Sequence, residues 1–214
     1  MATPPNMPQA QPRSSKKGLW ITLGVIAVLI IAAIAMSNKF VKLEEGLNQK
    51  WAQVENQYQR RLDLIPNLVE TVKGYASHES TTLQGLTEAR AGLSDAYNKA
   101  NALDKEQPAD EAALDNYSNT QQQLNRALSI YVNAVHEAYP DLKANEQFKN
   151  LMTQLEGTEN RIATERGRYT EAVQEYNVAV RRFPASIFAS IFGYSAKPQF
   201  KAEEGAASAP KVEF

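Results

Sequence analysis

Residues 148–183 read FKNLMTQLEGTENRIATERGRYTEAVQEYNVAVRRF, and their spacing decides the fold. Phe148, Leu155, Ile162, Tyr169, Tyr176 and Phe183 recur every seven residues without a miss. Leu151, Ala172 and Ala179 hold the companion positions, with Met152, Val173 and Val180 beside them. A seven-residue apolar repeat keeps one helical stripe turned toward a partner, so this is a helix of a bundle or coiled coil. Pro184 stops it by removing a backbone donor.

The same three-four spacing runs through the segment before it: Leu114, Tyr117, Gln121, Leu124, Leu128, Tyr131, Val135 and Ala138. Asp110 is placed to cap its start, and Tyr139-Pro140-Asp141 ends it. Further back, Leu83, Leu86, Arg90, Leu93, Tyr97 and Ala100 form a shorter stripe that closes in the Asn101–Pro108 loop. A long seam precedes it, through Phe40, Leu47, Trp51, Val54, Tyr58, Ile65, Leu68, Val72 and Tyr75. Strand-type alternation is absent, so the chain is all-α, an antiparallel bundle of about four long helices.

Pro66 is one candidate end for the first of these helices, but the seam passes through it in phase. The phase slips around Ser77-His78-Glu79-Ser80, where the turn is therefore expected. Summing helical rises from that turn leaves Phe183 about 17 Å above the start of the bundle.

Leu19 to Met36 is a run of apolar or weakly polar residues whose helical rise, about 27 Å, matches the hydrocarbon thickness of a bilayer. Trp20 suits one interface, and Phe40 follows the other end. Ala33-Ile34-Ala35 fits a signal-peptidase site, the rival reading; the length of the run and the helix resuming directly after it favour a retained anchor. Arg13, Lys16 and Lys17 before the span against Lys39 and Lys42 after it bias the N-terminus toward the cytoplasm. The expected organisation is a disordered tail over 1–18, a transmembrane helix over 19–37, a helical bundle over 38–195 and a disordered tail over 196–214.

A net charge of -1 argues against a nucleic-acid partner, which calls for a basic stripe. The absence of cysteine removes disulfides, thiolate nucleophiles and cysteine zinc sites. His78 and His136 each have a glutamate as next neighbour, on a different helix face, and read as solvated surface residues rather than metal ligands. No catalytic, cofactor or metal site is expected. Charges in the seams are the notable feature. Arg61 and Arg90 fall within apolar stripes, Arg60, Arg126, Arg161 and Arg166 lie near them, and Asp63, Glu70, Glu159 and Glu165 are available carboxylates. A desolvated guanidinium needs a carboxylate, and such pairs fix helix register; a site for an anionic lipid or peptide is the other reading. Ile187, Phe188, Ile191 and Phe192 share one face of a short apolar segment that either meets lipid or a second protomer, or packs back on the bundle's end.

Several stretches carry a family resemblance. Gln57-Tyr58-Gln59-Arg60-Arg61-Leu62-Asp63-Leu64-Ile65-Pro66-Asn67-Leu68-Val69-Glu70 resembles the signature of the bacterial LemA family. So do Tyr139-Pro140-Asp141-Leu142-Lys143-Ala144 with Phe148, Glu159-Asn160-Arg161-Ile162, and Tyr176-Asn177 ahead of Phe183-Pro184. The likeness covers roughly residues 40–194; Thr170 stands where the family often has Asn. It implies a membrane-anchored antiparallel helical domain with no established catalytic residues. Residues and resemblance together lead to a non-enzymatic, single-pass protein of the bacterial inner membrane, with its helical domain on the exported side. The expected role is a self-associating envelope scaffold. The alternative is an accessory module holding an envelope partner protein or an anionic lipid.

Overall fold

The structure, a computed structural model, describes residues 16–76 and 84–201. The expected turn at Ser77–Ser80, His78, Leu83, most of the N-terminal tail and residues 202–214 lie outside that range. Five α-helices and one 3-10 turn follow in order: α1 (Lys16–Ala76), α2 (Gln84–Asn101), α3 (Glu111–Ala138), the turn Pro140–Ala144, α4 (Glu146–Arg181) and α5 (Ala185–Phe192). No strand occurs among the described residues.

The apolar run and the first bundle helix are one continuous helix. α1 has 61 residues and contains Pro66, whose ring sits on the exposed side of the helix, clear of the bundle. The reading that carried the seam through Pro66 is the one observed. α1 lies closest to α4, and α2 to α3. Large side chains fill the space between the two pairs, in two clusters. The upper cluster joins Leu62–Val72 of α1 to Leu93, Ala96 and Ala100 of α2 and to Leu124–Val135 of α3. The lower one joins Phe40, Leu47, Trp51, Val54 and Tyr58 to Leu114, Tyr117, Ile162, Tyr169, Val173, Tyr176 and Val180.

α2 is too short to reach the lower end. The loop after it stops beside Trp51, whose indole N–H donates to the Lys105 carbonyl at 3.0 Å. Below that level the α1–α4 pair is covered by α5 and by the chain after it. Gly193, at a φ of 79°, ends α5 and reverses the chain. A strap then climbs along the bundle. Asn177 clamps the Lys197 backbone through two hydrogen bonds of 2.8 and 2.9 Å. Lys197 pairs with Glu44 at 3.0 Å, Phe200 enters the aromatic group around Trp51, and Lys201 bridges Glu111 and Asp115 of α3. Residues 196–201 were expected in a disordered tail; one aromatic and two lysines, each with a partner on the bundle, hold them instead.

Two further expectations change. Phe183 is 76% exposed because α4 ends at Arg181 and Arg182 is extended, which takes the last heptad position off the stripe. The C-terminal end of α4 is not held 17 Å above the start of the bundle: α4 runs alongside α1, and Lys197, clamped by Asn177 one turn before the end of α4, pairs with Glu44 near the start of the bundle. Rises added end to end neglect that direct pairing.

Asp110 caps α3 as expected, accepting from the Ala113 N–H at 2.8 Å, and Asn145 caps α4 through Phe148 at 3.1 Å. Asp110→Ala is expected to cost about 1 kcal/mol of stability, read from urea unfolding of the full chain in detergent. An unchanged midpoint would mean that the cap contributes nothing there.

Candidate functional site

Arg61 projects from the middle of α1 into the space between the helix pairs and is 2% exposed. One guanidinium nitrogen, Nη1, donates to Glu159 Oε1 of α4 at 2.6 Å. Nη2 donates to Gln121 Oε1 of α3 at 2.5 Å and to the Gln121 carbonyl at 3.2 Å. The Tyr58 ring lies 5.2 Å from the guanidinium carbon, one turn below, and Nε has no hydrogen-bond partner. One cation therefore ties three helices at a single height. The fork geometry of arginine suits this, since its donors point to fixed and separate acceptors.

A second polar link lies one turn lower. The Tyr117 hydroxyl donates to Glu55, and Tyr117 makes edge contacts with Tyr58 at 5.5 Å and Trp51 at 5.1 Å. Burial, then the Glu55 carboxylate, push the Tyr117 pKa well above the ordinary tyrosine value, so the hydroxyl stays protonated. Tyr131 is pushed up to about 12 mainly by burial, which the nearby Arg90 charge opposes.

The other candidates do not join this centre. Arg60, Arg126 and Arg161 are exposed. Asp63 is exposed and accepts from Gln59 at 2.8 Å. Glu165 pairs with Arg168 at 2.6 Å along the surface of α4. Arg90, expected in a seam, is exposed. The inner stripe of α2 is Leu86, Ala89, Leu93, Ala96 and Ala100, which leaves Arg90 on its flank. Arg166 lies over the Phe200 ring at 4.6 Å. On α5 the expected face divides: Phe188 packs against the lower cluster, while Ile187, Ile191 and Phe192 stay exposed.

Glu55 and Phe200 were missed. A buried tyrosine hydroxyl usually finds a partner, although that of Tyr176 has none, and Tyr117 in a seam was the signal to look for a carboxylate near Tyr58. Phe200 had no periodic companion to announce it. His136, expected to be solvated, is half-buried with its ring 5.7 Å from Phe148; burial and Lys143 lower its pKa.

The arrangement is closed. Glu159 borders a groove of about 590 Å³ between α3 and α4, but its carboxylate is committed to Arg61. Among the described residues no three His, Asp or Glu side chains converge as metal ligands. The apolar part of α1 has exposed large side chains throughout and is long and apolar enough to cross a membrane.

Two proteins of Paramagnetospirillum magneticum, Magnetosome protein MamQ 1 and Magnetosome protein MamQ 2, are each 28% identical over 217 residues, covering 94% of this chain and 79% of theirs. Magnetosome protein MamQ of Magnetospirillum gryphiswaldense is 26% identical over 206 residues, covering 87% and 74%. The LemA family model matches residues 50–214, which contain the Arg61–Gln121–Glu159 centre, α2 to α5 and the strap. The chain belongs to the LemA family.

Proposed function

We propose that this protein is a non-enzymatic, membrane-anchored scaffold that associates with further copies of itself through the outer face of α2 and α3. The observation that carries the reading is a groove of about 790 Å³ on that face. It is lined by Gly85, Ala89 and Gly92 of α2 and by Ala127, Ile130 and Ala134 of α3, with Ile130 61% exposed. Small residues let a second helix pair approach closely, and Ile130 supplies the apolar knob. Membership of a family of membrane-associated proteins, and the apolar part of α1, support the anchor. Anchoring holds all copies at one height in one plane, so a two-fold axis along the membrane normal sets α2 of one copy against α3 of the other. The many seam aromatics give this reading no support, because the bundle itself buries them. In this reading the membrane is the bacterial inner membrane, with the bundle on the exported side, and Arg61 and Glu159 set helix register.

Light scattering of the full chain in detergent should give a protein mass of more than one copy. Ile130→Glu should return it to one copy with helicity unchanged. A full chain that is monomeric at every concentration defeats the scaffold. An accessory role toward an envelope protein or anionic lipid would then take its place, with the groove beside Arg181, Arg182 and Lys197 as its surface. Arg61, being buried, cannot be a contact in that role.

A further inference from the structure

We propose that α5 lies in the headgroup layer of the bilayer that α1 crosses, with Ile187 and Ile191 inserted toward the acyl chains; this rests on the reading of α1 as a membrane anchor. Position comes first. α5 packs on both α1 and α4, and Ala185, Phe188 and Ala189 face inward to the lower cluster. Met36, the last residue of the apolar run, packs on that same cluster, and Phe40 meets Tyr194 just after α5. Phe40 is one turn beyond Met36, a rise of about 6 Å. The headgroup layer is about 5–8 Å deep on each side of the hydrocarbon, so a helix held at this level lies within it.

The chemistry of α5 agrees. Its sequence ASIFASIF has no charge. Ile187 and Ile191, 52% and 69% exposed, stand one turn apart on the side away from the inward residues. Phe183 and Phe192 are also exposed at either end. No described part of the chain covers them, and four large apolar side chains within ten residues are costly in water. Exposed cations stand at this end of the bundle: Arg181 at the end of α4, Arg182 just after it, and Lys39 and Lys42 of α1 on either side of Phe40 in sequence. Long basic side chains at that depth reach phosphate groups while their stems stay in apolar surroundings. α5 packs on α1 and α4, so a second copy docked on the outer face of α2 and α3 leaves this face to lipid.

The chain has no cysteine, so a single introduced thiol can be labelled uniquely. A nitroxide at Ile191→Cys, in the full chain reconstituted into phosphatidylcholine–phosphatidylglycerol vesicles, reports collisions with oxygen and with a water-soluble nickel chelate. Val28→Cys in the apolar part of α1 and Ala163→Cys on the exposed side of α4 are the references. The oxygen-to-nickel ratio at 191 should exceed that at 163 several-fold and approach that at 28. A ratio at 191 equal to that at 163, with 28 in lipid, overturns the proposal and leaves the anchor standing. Water-like values at both 28 and 191 overturn both. Low collision rates with both reagents at 191 mean that protein covers the face, which also overturns it.

Discussion

Glu159→Ala is expected to destabilise the chain by about 3–5 kcal/mol, and by more than the loss of Arg61 itself. The two partners are buried unequally. Arg61 is 2% exposed, whereas the Glu159 side chain keeps 34% of its surface. Removing the carboxylate strands a guanidinium that cannot lower its charge by deprotonation, leaving it only Gln121 and the face of Tyr58. Removing the arginine leaves a carboxylate that water can reach and a buried Gln121 oxygen without its donor. Arg61→Met should therefore cost about 2 kcal/mol, mainly for that oxygen. Urea unfolding of the full chain in detergent, followed by circular dichroism, measures both. The triple change Arg61→Met, Gln121→Leu and Glu159→Met should recover most of the loss, since an apolar replacement of a whole buried ionic group is often close to neutral. If Arg61→Met proves the more damaging single change, the guanidinium contributes through packing rather than through its pairing.

Much of this arrangement could be read in advance, because it follows from local spacing. Five of the six heptad positions between Phe148 and Phe183 are buried, and so are Leu114, Tyr117, Gln121, Leu124, Leu128, Tyr131 and Val135 of α3. Arg61 was legible as a paired cation because it interrupts an otherwise apolar stripe, and Glu159 was among the carboxylates available to it. Arg90 looked equivalent and is not. Its helix buries mainly small residues, whose stripe can be drawn through either flank, whereas the α1 stripe is fixed by large ones. The strap was not legible at all. Residues 194–201 have no period, and what holds them is a set of single contacts to α1, α3 and α4, distant in sequence. Composition reported polar and small residues there, as in a loose tail, and could not register that one phenylalanine had an aromatic pocket awaiting it.

That pocket gives the second large effect. Trp51→Ala should cost about 3–5 kcal/mol from the lost side chain and cavity, with about 1 kcal/mol more for the Lys105 carbonyl left without its donor. Trp51 is 3% exposed and sits where four parts of the fold meet. Its ring is 5.1 Å from Tyr117 of α3, 5.4 Å from Tyr169 of α4 and 6.2 Å from Phe200 of the strap, while its N–H holds the α2–α3 loop. Below this level α2 is gone and the strap takes over, so the indole is the joint between two ways of covering the α1–α4 pair. Phe200→Ala alone should cost less, about 2–3 kcal/mol, because Phe200 is only half-buried and its loss leaves the Trp51–Tyr117–Tyr169 contacts in place. The two changes should not add. With Trp51 absent, Phe200 keeps only its edge contact with Tyr169 at 5.6 Å and the Arg166 guanidinium above it, so the double variant should fall short of the sum by about 1 kcal/mol. Limited proteolysis of the full chain separates the strap from the global effect. Tryptic cleavage after Lys201 should speed up in both variants under conditions where the helices stay folded. Full additivity, with cleavage unchanged in Trp51→Ala, would mean that the strap is held by Asn177 and the lysine pairs without help from the aromatic group.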